Sequence, residues 1–162
     1  MAIHKLDIGD FDEIDYNLIA IHTQLEDYKL AFLINKKLPI LLSKSNEAIV
    51  VKKKEGEAQF SRFNYFDKVN KRAWNLFQNK NVLVTNHSEM SQNLFSNEMY
   101  QSLTRVYFLP EFKKADYFLK IEKTDDTIEL SQIKQIINEI EPISTAYIVD
   151  IDQIKSKNNL IF

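Results

Sequence analysis

The sequence contains no cysteine and only two glycines, Gly9 and Gly56. The first absence excludes disulfides and every zinc site built on thiolates. The second excludes phosphate-cradling loops, which need several glycines so that backbone N–H groups can approach the phosphate. Neither a Walker loop nor a dinucleotide fingerprint can be written, and no cofactor is expected. The three histidines, His4, His22 and His87, stand far apart, none at the i, i+4 spacing of a helical metal site. The serines lack a glycine-flanked elbow, and the acidic run DIGDFDEID lacks the ligand spacing of a calcium loop. No apolar run is long enough to span a bilayer. The opening MAIHKLDIGDFDEIDY has no basic segment leading into an apolar one, so no secretory leader is expected and the expected compartment is the cytoplasm.

What is present suits one domain over residues 1–162, with 44% hydrophobic content and a sizeable core. Charge is unevenly spread. Residues 1–30 hold two lysines against seven carboxylates, whereas residues 50–80 hold eight cations against three carboxylates. Two solvated faces that attract each other account for this. A basic surface for an anionic partner is the sharper alternative.

Apolar runs and turn residues place the elements. IDYNLIAIH (14–22) reads as a strand, and Thr23 with Glu26 as a capping box for a helix over 24–37 that Pro39 stops. That helix is apolar at Leu25, Tyr28, Leu30, Ala31, Phe32, Leu33 and Ile34, so much of its circumference is expected to be buried. A short strand, ILLS, follows. Residues 46–85 read as a β-meander, with Gly56 free to take positive φ in its first hairpin. Residues 86–100 are polar and read as a loop, and LTRVYFL returns to strand. DYFLKIE is a strand, and Asp126 caps a helix whose Leu130, Ile133, Ile136, Ile137 and Ile140 share one face. Pro142 ends that helix and TAYIVD is the last strand. DYNLIAI and DYFLKIE each lead into a capped helix, a proline and a short strand, a weak internal repeat of a βαβ-like unit. The expected fold is α+β: a mixed, mostly antiparallel sheet with a central β-meander, flanked by two βαβ-like units whose helices cover one face.

Two stretches carry candidate functional residues. In VYFLPEFKKADYFLKI, Pro110 ends a strand and suits the first position of a helical turn, where Glu111 meets exposed N–H groups. Asp116 can accept a local N–H and Tyr117 enters the next strand. A structural corner explains each residue. The competing reading makes Glu111 or Asp116 the acid or base of a small enzyme, but nearby Lys113 and Lys114 favour keeping both carboxylates ionised. LPEFKKADY, Leu109 to Tyr117, resembles the signature of the IPExxxVDY family of bacterial proteins: Pro110, Glu111, Asp116 and Tyr117 match, with Leu109 and Ala115 in place of Ile and Val. The resemblance implies membership over most of the chain. It attaches no reaction, ligand or catalytic residue.

The second stretch, residues 60–77, interleaves Phe60, Phe63, Tyr65, Phe66, Trp74 and Phe77 with Arg62, Lys68, Lys71 and Arg72. Sheets that bind single-stranded RNA expose aromatics for stacking and cations for phosphates. A meander also needs aromatics on its core face, and burial of Trp74 is expected from the apolar Leu76 and Phe77 after it. No RNA or DNA motif is present. The expectation is a binding or interaction protein without catalysis, its partner RNA, a ribonucleoprotein or another protein. The candidate contacts are Arg62, Lys68, Lys71, Arg72 and Trp74, and exposure of the aromatics is the discriminating observation.

Overall fold

The computed structural model describes residues 16–54, 56–87, 100–122 and 129–162. Its centre is a six-stranded sheet of β1 (Tyr16–Thr23), β2 (Ser43–Lys44), β5 (Arg62–Asp67), β6 (Arg72–Gln78), β9 (Tyr117–Glu122) and β10 (Ile143–Ile148). The spatial order is β10-β1-β9-β6-β5-β2. Two helices, α1 (Asp27–Lys37) and α2 (Leu130–Asn138), cover one face. Two hairpins cover the other, β3 (Ile49–Lys53) with β4 (Gly56–Phe60) and β7 (Lys80–His87) with β8 (Tyr100–Tyr107), together with the chain from Val149 to Leu160.

The protein is α+β, and every pairing among the described strands is antiparallel. The mixed character expected of the sheet is therefore absent from its ladders. It survives at a distance: β9 and β10 run parallel with β1 inserted between them, and β1 and β2 run parallel with three strands between. Both crossovers carry their helix over the same face. Ile19, Ile21, Trp74, Leu76, Leu119 and Ile121 meet Leu30, Ala31, Ile34 and Ile137 there. Leu18, Ala20, Phe77 and Phe118 point the other way, to Ile49, Val51, Phe60, Phe108 and Leu160. Covering from both sides explains why β6 and β9 are buried at consecutive positions rather than at every second one.

Three expectations change. Helix α1 begins at Asp27 and Glu26 makes no capping bond; the Thr23 hydroxyl accepts the Leu25 N–H at 3.2 Å, ahead of the helix, and donates to the Pro142 carbonyl at 2.9 Å. Tyr28 and Phe32 are more than half exposed, because α1 rests only one side on the sheet. Their rings instead carry the ammonium groups of Lys29 and Lys36, at 5.5 and 4.9 Å. The meander is split between layers. Ser61 interrupts the expected meander, so that β4 belongs to a hairpin and β5 to the central sheet, and Asn79 does the same between β6 and β7. Gly56 takes φ +142°, as its hairpin requires. The expected cap at Asp126 and most of the polar stretch 86–100 lie outside the described residues.

Candidate functional site

The corner at residues 109–117 is a clasp. Pro110 opens a 3-10 turn, Pro110–Phe112, as its fixed φ favours. The Glu111 carboxylate does not serve its own turn alone. Its Oε1 accepts the N–H groups of Lys155 and Ser156, both at 2.9 Å, and Oε2 accepts the Ser156 hydroxyl at 3.1 Å. Burial pushes this carboxyl up, but the bonds from Ser156, Lys155 and its own backbone together outweigh burial and hold it below its ordinary 4.5. Asp116, expected to bond locally, reaches across the fold. Its Oδ2 accepts the Thr23 N–H at 3.0 Å and its Oδ1 the Lys80 ammonium at 2.7 Å. Tyr117 donates to the Leu25 carbonyl at 2.7 Å. Its hydroxyl is pushed up to about 12, by burial first and also by the carboxylates of Asp27, Asp116 and Glu26, against a bond with Gln78. Glu111, Asp116 and Tyr117 thus tie β1, the stretch leading into α1, β7 and the C-terminal stretch to one corner.

Sequence reasoning missed the centre of this clasp. Asn79 is fully buried. Its side chain accepts the Leu109 N–H at 2.8 Å and donates to the carbonyls of Phe112 and Ala115, while its backbone bonds Asp116 and Phe108. In sequence it sits in NKN, which reads as a turn. It also missed Lys120, 3% exposed, whose ammonium donates to the Leu160 carbonyl at 2.5 Å, pairs with Glu122 and lies between the rings of Tyr16 and Phe162. A single lysine inside the apolar run YFLKIE was its signal: a cation in a strand buried on both faces must have partners.

The aromatic and basic residues of 60–77 do not form one surface. Phe60, Phe63, Trp74 and Phe77 are buried, Tyr65 is half-buried, and only Phe66 stands out at 56% exposure. Trp74, at 7% exposure, packs under the helices and is withdrawn from the candidate contacts. Lys68, Lys71 and Arg72 cluster at the β5–β6 turn, with Lys71 in the left-handed region at φ 54°. Arg62 lies at the opposite end of that hairpin, five residues along β5 from Asp67, or roughly 17 Å.

Arg62 lines a different feature. A cavity of about 540 Å³ runs between Glu47–Lys52 and the stretch Asn158, Asn159, Ile161 and Phe162. The Arg62 guanidinium sits 5.4 Å from the Phe162 ring and donates to the Ser45 hydroxyl at 3.2 Å. Its Nε is buried with no acceptor, and among the described residues it has no carboxylate partner. Glu111 and Asp116 do not line this cavity. Among the described residues no group of His, Asp and Glu side chains could hold a metal ion, and no helix is long and apolar enough to cross a membrane.

No family model matches the chain, and no curated protein or solved structure matches it either.

Proposed function

We propose that this chain is a non-catalytic interaction protein that binds another protein in the groove between β3 and residues 158–162. The observation that carries the reading is the groove itself. It is large enough for a ligand, lined by four consecutive residues of β3, and holds a cation, Arg62, that has no carboxylate partner among the described residues. Membership of the IPExxxVDY family belongs to the same proposal, supported by the work that Pro110, Glu111, Asp116 and Tyr117 do in the clasp. An enzyme using Glu111 or Asp116 has less support, because both carboxylates are engaged by backbone N–H groups, a hydroxyl or a lysine. RNA binding has less support because most of its stacking platform lies in the core. Affinity capture from native lysate, with and without nuclease, tests the proposal. A protein partner retained after nuclease is the expected result. Capture that nuclease abolishes would replace the reading with RNA at Lys68, Lys71 and Arg72.

A further inference from the structure

We infer that the groove takes an extended acidic peptide as an added strand on β3, with a peptide carboxylate on Arg62. This rests on the interaction reading above and names its partner and geometry. Among the described residues strand β3 pairs only with β4, which leaves its other edge open. Six consecutive residues line the cavity, Glu47 and Ala48 leading into β3 and Ile49 to Lys52 on it. An alternating strand can present such a run only along its edge, where every second residue turns its N–H and C=O away from its partner.

Three other edges of the fold each carry an asparagine amide. The Asn138 side chain bonds both the N–H and the C=O of Ala146 on β10, at 2.7 and 2.9 Å. Asn35 does the same to Leu42, next to β2, at 2.8 and 2.9 Å. Asn81 donates to the Gln59 carbonyl on β4. Among the described residues no side chain caps β3 in this way. Its edge remains the open template for a further strand.

Charge selects the occupant. Arg62 and Lys52 line the cavity against a single acidic side chain, Glu47. The half-buried Arg62 is held by Phe162 and Ser45 but lacks the planar anion that its fork of donors fits. Val50 and Ile161, 49% and 76% exposed, offer apolar contact beside it. A peptide alternating apolar and acidic residues meets all three requirements.

Fluorescence polarisation tests this with a labelled, end-blocked peptide alternating valine and glutamate. The controls are the same peptide N-methylated at alternate residues and its valine–lysine counterpart. We expect saturable binding of the acidic peptide, weakened about tenfold or more by N-methylation, by the lysine exchange and by Arg62→Gln. Lys68→Glu at the distant turn should leave it unchanged. Thermal unfolding confirms that each variant is folded, and Lys52→Glu replaces Arg62→Gln if that variant is not. No saturable binding, or equal binding by the N-methylated peptide or by Arg62→Gln, would overturn the inference. So would binding of an oligouridine probe that depends on Arg62 in place of the peptide. A lysate partner captured equally by wild type and Arg62→Gln would remove the groove and leave the interaction reading standing. Failure of both to capture any protein would instead remove that reading.

Discussion

Asparagine does much of the organising here at the scale of single residues. Its amide offers the donor and acceptor of a peptide group at the end of a short side chain, so it can replace a missing strand or turn. Asn79 does so inside the core. Asn79→Ala would leave the Leu109 N–H and the Ala115 carbonyl without partners and strip the Phe112 carbonyl of one of its two bonds, the other being to the Ala115 N–H. Each such group costs about 1–3 kcal/mol, and we expect a total loss of about 3–5 kcal/mol, measured by denaturant unfolding. Wild-type stability would show that the corner closes without it. Trp74 is the opposite case, a residue whose composition suggested contact with a partner and whose burial assigns it to packing. Trp74→Ala should cost about 3–5 kcal/mol and threaten folding outright. A soluble variant with an unchanged melting temperature would contradict its position under the helices.

Elements were legible wherever periodicity was local. The apolar face of α2, the hairpin at Gly56 and the crossover units follow from spacing alone, and the repeat reappears in the two helices, each lending an asparagine to the strand side that follows it. The break at Ser61 was also written in the sequence, though faintly. Apolar residues fall at Ala58 and Phe60, then at Phe63 and Tyr65, so the alternation slips by one residue where the chain changes layers. The partners of Glu111, Asp116 and Lys120 were not legible, because hydrogen bonds spanning 44, 93 and 40 residues leave no local pattern. The Glu111 clasp predicts a pH dependence. A carboxyl lowered in the folded state stabilises fully above its ordinary pKa, and that contribution disappears as pH falls through the lowered value. Backbone amides around Lys155 and Ser156 should therefore exchange hydrogen slowly at neutral pH and lose protection in acid earlier than those of β9. In Glu111→Ala, which removes the acceptor, they should be fast at every pH, with a stability loss of about 0.5–2 kcal/mol. Protection equal in the two proteins would rule out the clasp.

On the scale of the whole molecule, the stretch after Val149 is part of the core rather than an appendage. Ile154 and Leu160 are buried, and Phe162 lies edge-on to Phe77 and Phe108. Deleting residues 151–162 would uncover those rings and strip Lys120 of the Leu160 carbonyl. We expect the shortened chain to unfold without cooperativity and to bind a hydrophobic dye such as ANS. A sharp wild-type transition without dye binding would make the stretch dispensable.

The position of β1 bears on how the chain is made. Ile19 lies opposite Leu119 on one side and Ile148 on the other, so the first described strand takes an interior place in the sheet between the two of its strands that are translated last. At about 5–20 residues per second, roughly 5–20 s separate its emergence from that of even the nearer neighbour. For that interval YNLIAIHT is an apolar segment with two empty flanks, the kind of sequence that holding chaperones occupy. The order of synthesis and the order of the sheet run against each other, and the protein's yield in a cell depends on what shields that strand while the ribosome finishes.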